Sequence, residues 1–415
     1  MSDPVADQYE AYPYPARNPS DERRRLIQGS PSHILEIDHY LYAGRRDFSH
    51  GFRALFAGGG TGDGAIMLAQ QLTDIGAPAE IVHLDISAAA RGIAEARARE
   101  RGLANLRFVT GSLLDLDRLG LGRFDYIDCC GVLHHLEHPQ EGLCALADAL
   151  AEDGGIGMMV YGELGRTGVY HAQEMLRLLG TGEPAPTRIE WARRLLRQLP
   201  PTNWFRRNPF LADHLEGGES GVHDLLLHAR DRAYRVSEVA DLVAAAGLAI
   251  VRLLEPCRYD PASYLTDAAL LKRLSPLDPI ARAAFAELIA GNMKSHIAYL
   301  VPVARAGMTE ALPSPDMIPH LRHSDGAEIA HGLTPGGRVK TTLGGLEFAF
   351  ALPRRAGPIL ARIDGRRTLT QIREALSRDG HNLGEVAFTA EFDQMFRAFN
   401  GLNQIFLADR PLLRG

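Results

Sequence analysis

The chain has 415 residues, more than one ordinary hydrophobic core supports, so two or three domains are expected. Its 46% hydrophobic and 23% charged residues are typical of a globular protein, and its net charge of -6 excludes a nucleic-acid binder held by a broad basic surface. Four cysteines exclude a disulfide scaffold, and neither a signal peptide nor a membrane-spanning apolar run is present, so we expect a cytoplasmic protein with no nucleic-acid or membrane partner.

The first 50 residues predict an N-terminal cap. Residues 1–25, which include YEAYPYPARNP, are rich in proline and charge, and we expect them to be extended. Residues 32–44 carry apolar side chains at helical spacing and end in glycine, which predicts a helix.

Strand and helix patterns then alternate as far as residue 162. Nearly continuous apolar strands separated by helices indicate a parallel sheet that is covered on both faces. The predicted strands are residues 53–58, 80–87, 106–112, 124–132 and 155–162. The predicted helices are residues 65–76, 89–102 and 140–154.

The alternation breaks at about residues 172–233, which predict an insertion. Helices are predicted at residues 169–179 and 187–201, followed by a polar, glycine-rich stretch at 216–224. The end of the insertion, HDLLLHARDRAYRV, is interpreted either as a lid that contacts substrate or as a buried helix with a solvated polar face. The predicted elements that follow are a helix at 236–247, a strand at 248–255, a helix at 280–288 and a strand at 295–305.

The remaining chain predicts a linker at residues 306–335 and a small α+β unit at 336–415. The linker is rich in proline and histidine. The unit begins with a hairpin at 336–353 and continues with three predicted helices, at residues 356–365, 368–377 and 388–401.

A glycine-rich turn, AGGGTGDGA, follows the first predicted strand and opens a helix. Glycines there allow a sharp turn and close approach of a ligand, and the free N–H groups at the helix start favour an anionic group. Asp85 ends the next strand, where a carboxylate can accept hydrogen bonds from both ribose hydroxyls. The turn and Asp85 suit either a dinucleotide such as NAD or S-adenosylmethionine.

Three further features separate these cofactors. GSLLDL follows the third strand, where it would bracket an adenine ring, and CCGVLHHLEHP follows the fourth. Two late strands can close the sheet as a reversed hairpin. This ordered set, over roughly residues 30–305, resembles the class I S-adenosylmethionine-dependent methyltransferases. The resemblance implies a Rossmann-like seven-stranded α/β sheet and S-adenosylmethionine as cofactor.

The resemblance also implies a set of cofactor-binding residues. They are Ala57, Gly58, Gly60, Gly62, Asp63, Asp85, Ile86, Ser112, Leu113, Cys130 and Gly131. One position departs from the family pattern, because Phe56 stands where an acidic residue usually holds the methionine amino group. Asp63 is our candidate for the missing carboxylate. The segments YPYPAR and VYGELGRTGVY also resemble a narrower group, the bacterial outer-membrane-protein lysine methyltransferases.

Methyl transfer requires alignment, exclusion of water and, for a protonated acceptor, removal of a proton. The predicted catalytic residues are His134, Tyr161, Glu163 and Tyr14. His134 and His135 are alternative candidates for a base, unless both have only structural roles. Glu163 is expected to bind a substrate amine or to pair with Arg166.

The remaining alternatives concern the tyrosines and a metal. We expect Tyr9, Tyr12 and Tyr14 to fold over the pocket mouth, where they can hold a sulfonium or ammonium; alternatively, they pack on a groove or on a second subunit. Arg17 would bind a carboxylate of the cofactor or of the protein. No metal site is expected, since the candidate ligands lie in a proline-rich segment without a helix: His320, His323 and His331, with Asp316 and Asp325.

The C-terminal unit resembles small winged-helix-like peptide-recognition domains, which implies that a strand edge takes up a peptide; a packing or homodimer contact is the alternative. We therefore expect methyl transfer from S-adenosylmethionine to a protein or peptide side chain, with lysine as the first candidate. A small-molecule methyltransferase and a non-catalytic S-adenosylmethionine-binding protein are the alternatives. Since the cofactor motifs precede residue 140, a fragment ending near Arg305 is expected to retain the cofactor if it stays soluble.

Overall fold

The computed structural model describes residues 4–180, 182–323 and 325–412. A seven-stranded sheet is its central element, and within those ranges its strands stand in the order β3-β2-β1-β4-β5-β7-β6. β7 runs antiparallel to both of its neighbours, so the predicted reversed hairpin is confirmed. The strands are β1 (Phe52–Ala57), β2 (Ala79–Asp85), β3 (Leu106–Thr110), β4 (Phe124–Cys130), β5 (Leu150–Tyr161), β6 (Leu248–Leu254) and β7 (Ser295–Pro302).

Helices cover both faces of this sheet, which explains why the central strands β1 and β4 are buried along most of their length. The predicted Rossmann-like α/β fold is thereby confirmed. Two helices precede the sheet, α1 (Pro4–Ala11) and α2 (Ile34–Leu41). The helices between its strands are α3 (Asp63–Asp74), α4 (Ala88–Arg101), α5 (Leu116–Leu119) and α6 (Pro139–Asp148). Helix α6 ends earlier than predicted, because residues 150–154 begin β5.

The region after β5 is helical, as predicted for the insertion. Most of the glycine-rich stretch at residues 216–224 is helix. Gly221 packs so closely on Asp213 that an added Cβ would lie 2.2 Å from the Asp213 carbonyl oxygen. The helices of the insertion are α7 (Val169–Gly180), α8 (Ala185–Gln198), α9 (Trp204–Arg207), α10 (Asp213–Glu216) and α11 (Gly218–Leu226). Helices α12 (Val236–Ala245), α13 (Ala268–Leu274) and α14 (Pro279–Ala290) follow.

The predicted linker at residues 306–335 is a correction. It contains β8 (Ile318–Leu321), which pairs antiparallel with a strand near the end of the chain, and α15 (Gly326–His331). The predicted hairpin is present. The elements after α15 are β9 (Arg338–Leu343), β10 (Leu346–Ala351), α16 (Ala356–Leu360), α17 (Leu369–Arg378), α18 (Glu385–Gly401) and β11 (Ile405–Ala408). The domain limits at residues 50, 305 and 335 remain predictions.

The extended N-terminus predicted for residues 1–25 is wrong at residues 4–11 and 19–23, which are helical. Residues 1–3 lie outside the described residues. Pro4–Ala11 is helical, with Val5 and Gln8 buried, and Pro19–Arg23 is a 3-10 helix. The prolines at 13 and 15 follow α1 instead of interrupting it. Contacts with the rest of the protein stabilise this short helix, which its own sequence signals only weakly. No helix in the described ranges is long and apolar enough to cross a membrane.

Helix α2 connects the sheet to the C-terminal unit. Glu36 is fully buried and forms an ion pair with Arg322, which follows β8. It also accepts hydrogen bonds from Ser30 (2.6 Å), Tyr299 (2.9 Å) and Asn403 (3.0 Å). Phe406 and Leu412 complete the same apolar core as α2. A fragment ending near Arg305 would expose this core, so its retention of the cofactor is no longer expected.

Replacement of Arg322 by methionine should reduce the free energy of unfolding by about 3–5 kcal/mol, because it leaves the buried Glu36 carboxylate without its cation. Denaturant titration measures this change. The matched control is Lys340→Ala, which removes an exposed ion pair with Glu347 and should change stability by less than about 0.5 kcal/mol. Equal stability of Arg322→Met and the control variant would contradict the account.

Candidate functional site

A cavity of about 920 Å³ opens at the carboxyl ends of β1, β2, β4 and β5. Crevices at this edge of an open α/β sheet are common ligand sites, and the volume is near the upper end of the roughly 300–1,000 Å³ found for small-molecule pockets. Of the predicted cofactor residues, Ala57 is buried away from the wall. The lining residues among them are Gly58, Gly60, Gly62, Asp63, Asp85, Ile86, Ser112, Leu113, Cys130 and Gly131.

The glycine turn between β1 and α3 forms one wall. Gly58, Gly60 and Gly62 have φ values of +80°, +52° and +99°, in the left-handed region that glycine adopts without strain. The N–H groups of Gly58 and Gly59 donate to the Leu84 carbonyl, which holds the turn against β2. The turn therefore exposes backbone, not side chains, to a ligand.

Asp85 lies at the end of β2, as predicted, and is almost buried. Its carboxylate accepts hydrogen bonds from the N–H groups of Gly60 (2.7 Å) and Ser87 (2.8 Å). A carboxylate has about four acceptor positions, so capacity remains for a diol in the cavity. Ser112 and Leu113 line the cavity beyond β3, where the sequence predicts an adenine slot.

Asp63 is neutralised by protein groups. It accepts hydrogen bonds from Arg17 (2.6 Å) and Arg97 (2.7 Å), so the expected carboxylate partner of Arg17 is on the protein itself. Burial alone would raise the pKa of Asp63, but these two arginines outweigh burial and hold the pKa below its usual value. Little of its charge is left for a ligand.

Asp128 is the carboxylate that sequence reasoning missed. It pairs with Phe56 in register on the neighbouring strand, so both side chains lie on the same side of the sheet, and both line the cavity. Its oxygens accept from the Ser32 hydroxyl (2.5 Å) and the Cys130 N–H (3.2 Å). Among the described residues it forms no ion pair, and burial raises its pKa to about 6. The sequence feature that pointed to it was an aspartate within the otherwise apolar end of β4, the strand next to the one in which Phe56 replaces the usual acidic residue.

Tyr161, at the end of β5, lies on the opposite part of the cavity wall. Its hydroxyl donates to Asp224 of α11 (3.1 Å). Its ring stacks on His134, with a centroid distance of 3.8 Å, and the Arg166 guanidinium lies 3.8 Å from its centroid. Arg166 forms its ion pair with Asp231 (2.8 Å). Tyr161 is thus a fixed wall residue.

Two predicted catalytic residues do not reach the cavity. His134 is 1% exposed, and burial lowers its pKa well below the usual value, so it is a poor base. Glu163 pairs with Arg235 (3.0 Å) and not with Arg166, and its side chain is 44% exposed outside the cavity. Tyr14 does line the cavity, and burial raises its pKa.

The N-terminal tyrosines divide between two places. Tyr9 and Tyr14 line the cavity, whereas Tyr12 stacks on His223 in the insertion, with ring centroids 4.8 Å apart. The Tyr9 hydroxyl lies 3.1 Å from Asp224, 3.1 Å from His228 and 3.2 Å from His135. Asp224 itself is buried and lines the cavity. Sequence reasoning missed Asp224, because its position depends on how the insertion folds.

His135, Asp224 and His228 have the spacing of metal ligands, with ligand atoms within 4.8 Å of one another. The Tyr9 hydroxyl, however, lies between them. The Nδ1 atom of His228 accepts the Arg230 N–H (3.0 Å), so the neutral ring carries its proton on Nε2, the atom that faces the group. A metal requires that nitrogen unprotonated, so we interpret the group as a hydrogen-bond cluster. Within the described ranges, His320, His323 and His331 form no such group.

Comparisons with known proteins relate part of the chain to a methyltransferase domain. Residues 55–156 match the family model described as a methyltransferase domain. An uncharacterised protein of Synechococcus is 32% identical over 266 residues, which are 62% of this chain and 61% of that relative. The chain thus spans less than two thirds of the length of this relative.

Solved structures show the same fold. PKMT2 from Rickettsia typhi aligns over 90% of this chain and 75% of its own, with a TM-score of 0.64 and 16% identity. Its complex with AdoHcy has the same TM-score and identity, over 74% of its length. Residues 55–156 thus match a methyltransferase domain, and the solved structures share the fold of this chain.

In the absence of ligand, the ionised Asp128 carboxylate should reduce the free energy of unfolding. Its folded-state pKa, about 6, is above the ordinary value, so its contribution favours folding at low pH and is lost as pH rises through 6. Asp128→Asn should be more stable than the wild type by about 2–3 kcal/mol at pH 8 and equal to it near pH 4. Denaturant titrations at both pH values measure this. Asp63→Asn is the matched control and should lose stability at pH 8, since Asp63 is paired. If Asp128→Asn were less stable than the wild type at pH 8, Asp128 would not have a raised pKa in the folded protein.

Proposed function

We propose that the protein transfers a methyl group from S-adenosylmethionine to an amine of a protein or peptide, with lysine as the first candidate. One observation carries the choice of an amine: Asp224, a buried carboxylate without an ion pair among the described residues, lies in the cavity wall between the hydroxyls of Tyr9 and Tyr161. A carboxylate beside aromatic faces suits an ammonium group.

The cavity residues fit the cofactor. The backbone of the glycine turn allows close approach, Asp85 has acceptor capacity for the ribose hydroxyls, and Ser112 and Leu113 would bracket the adenine. Asp128 is the group we assign to the methionine ammonium, in place of the acidic residue replaced by Phe56. Its carboxylate has hydrogen-bond donors but forms no ion pair in the part of the chain that the structure describes, and a ligand ammonium would supply the cation. The bound sulfonium would supply an electrophilic methyl carbon.

Protein residues would then orient the acceptor and exclude water. Asp224 would hold the ammonium near the methyl position, and the rings of Tyr9, Tyr14 and Tyr161 would displace water around it. Helix α1 is attached above this end of the cavity by two further contacts. Glu10 accepts from Ser87 (2.9 Å), and Gln8 accepts from the Ala229 N–H (3.0 Å).

The small C-terminal unit is our candidate for peptide capture. β9 and β10 form a two-stranded hairpin, and neither outer edge pairs with another strand in the described ranges. Such an edge could take up a peptide by strand addition.

A small-molecule amine is the second candidate, because α1 and α11 cover the acceptor end of the cavity. A long lysine side chain would have to enter beneath them. Cytoplasmic location and the homodimer alternative remain predictions from the sequence.

Asp85→Ala and Asp128→Asn should each weaken S-adenosylmethionine by roughly 10- to 150-fold, the equivalent of losing one charge-assisted contact of about 1.5–3 kcal/mol. Calorimetry measures both affinities. Asp74→Asn, at the far end of α3, is the control and should bind as the wild type does. Unchanged affinity of Asp128→Asn, or tighter binding of NAD than of S-adenosylmethionine, would refute the cofactor assignment.

Incubation with radiolabelled S-adenosylmethionine and a cell lysate should place the label in protein, on lysine, after acid hydrolysis. Asp224→Asn should reduce the initial rate at least about tenfold while the cofactor affinity stays the same, because only acceptor positioning is lost. Prior acetylation of lysate amines is the control and should abolish labelling. Label recovered only in small molecules would favour the second candidate, and label on hydroxyl or carboxyl groups would refute an amine acceptor.

A further inference from the structure

Tyr9, His135, Asp224 and His228 form a hydrogen-bonded cluster. The backbone of Arg230 fixes the tautomers of its two histidines. The Nδ1 of His135 lies 2.9 Å from the Arg230 carbonyl oxygen, so this nitrogen carries the ring proton and Nε2 is an acceptor. The Nδ1 of His228 accepts the Arg230 N–H (3.0 Å), so its Nε2 is a donor. One residue, Arg230, thus orients two stacked imidazoles whose ring centroids lie 3.8 Å apart.

The Tyr9 hydroxyl has one proton fewer than the acceptors around it require. Its oxygen accepts from His228 Nε2–H (3.1 Å). Its single proton has two competing acceptors, Asp224 Oδ1 at 3.1 Å and His135 Nε2 at 3.2 Å. When the Tyr9 proton points to one of these two atoms, the other atom receives no hydrogen bond from Tyr9. Leaving a buried acceptor atom unpaired is costly in free energy. Addition of one proton would satisfy the whole cluster.

We propose that these four residues form a one-proton relay, in which Asp224 takes a proton from the acceptor ammonium while the Tyr9 hydroxyl turns from Asp224 to His135. This inference rests on the proposed function. After transfer, Asp224 Oδ1–H donates to the Tyr9 oxygen, and the Tyr9 proton points to His135 Nε2. Every donor and acceptor named above then has a partner.

The step balances. The ammonium R–NH3+ loses one proton to the Asp224 carboxylate, which gives R–NH2 and a neutral carboxylic acid. The nitrogen lone pair forms the N–C bond, the C–S bond of the donor breaks, and its electron pair stays on sulfur. The Asp224 proton returns to solvent once the product has left. Asp224 suits this role, because burial raises its pKa to about 6, near the pH at which a base works best.

Several groups face Asp224 and set its charge. The Tyr9 and Tyr161 hydroxyls and the Arg166 guanidinium favour the ionised form, whereas burial and Asp213 oppose it. Tyr14, His135 and His228 complete the surroundings and are neutral, since burial raises the pKa of the tyrosine and lowers those of both histidines. The relay predicts that removal of Tyr9 and removal of His135 shift the pKa of Asp224 in opposite directions.

The pKa of Asp224 in the full-length protein, measured by carboxyl 13C NMR, tests the relay without requiring activity. The Asp224 signal is the one that Asp224→Asn removes. Tyr9→Phe deletes a donor to the carboxylate and should raise this pKa by about one unit. His135→Phe deletes the competing acceptor, so that the Tyr9 hydroxyl donates only to Asp224, and this should lower the pKa of Asp224. His135→Leu serves the same purpose if His135→Phe does not fold.

Tyr12→Phe, on the same segment but outside the cavity, is the control and should leave the pKa unchanged. Pre-steady-state methylation rates of an amine acceptor should move on the pH axis in the same two directions, with cofactor affinity unchanged. Shifts in one direction for both variants, or no shifts, would overturn the relay even if amines are methylated. Opposite shifts without methylation of any amine would support the relay geometry and refute the proposed function instead.

Discussion

Two buried carboxylates, Asp128 and Asp224, form no ion pair among the described residues, and they dominate the physical character of the cavity. Burial of an ionised carboxylate is unfavourable unless a cation or several hydrogen bonds compensate it, and here only hydrogen bonds from hydroxyl and N–H groups do so directly. The nearby Asp63 shows the contrast, since Arg17 and Arg97 neutralise it. These are the two positions at which we propose that cationic ligand groups bind.

Distant segments of the chain converge on these two positions. Ser32, just before α2, reaches Asp128, and Tyr9 of α1 reaches Asp224. Helix α2 is in turn held by Arg322 and the end of the chain, so the C-terminal unit supports the Asp128 end of the cavity. The cap and the insertion therefore line one cavity, and the C-terminal unit packs on the helix beside it, although their sequence patterns suggest separate pieces.

The sequence predicted what local periodicity encodes. The order of strands and helices, the glycine turn and Asp85 could be located because each depends on neighbours in the chain. Asp128 could be located only with the register between β1 and β4, and Asp224 only with the fold of the insertion. Helix α1 was missed because its stability comes from contacts with the cavity wall. His134 was chosen for its chemistry, but the strand-to-helix turn buries it and leaves its neighbour His135 at the cavity.

The most direct test of the account compares two ligands on two proteins by calorimetry: S-adenosylmethionine and methylthioadenosine, which lacks the amino-acid part, binding to the wild type and to Asp128→Asn. The account predicts that the substitution weakens S-adenosylmethionine by at least about tenfold and leaves methylthioadenosine unchanged, because only the former presents an ammonium. An equal loss of affinity for both ligands, or no loss for either, would contradict the claim that Asp128 binds the ammonium group of the ligand.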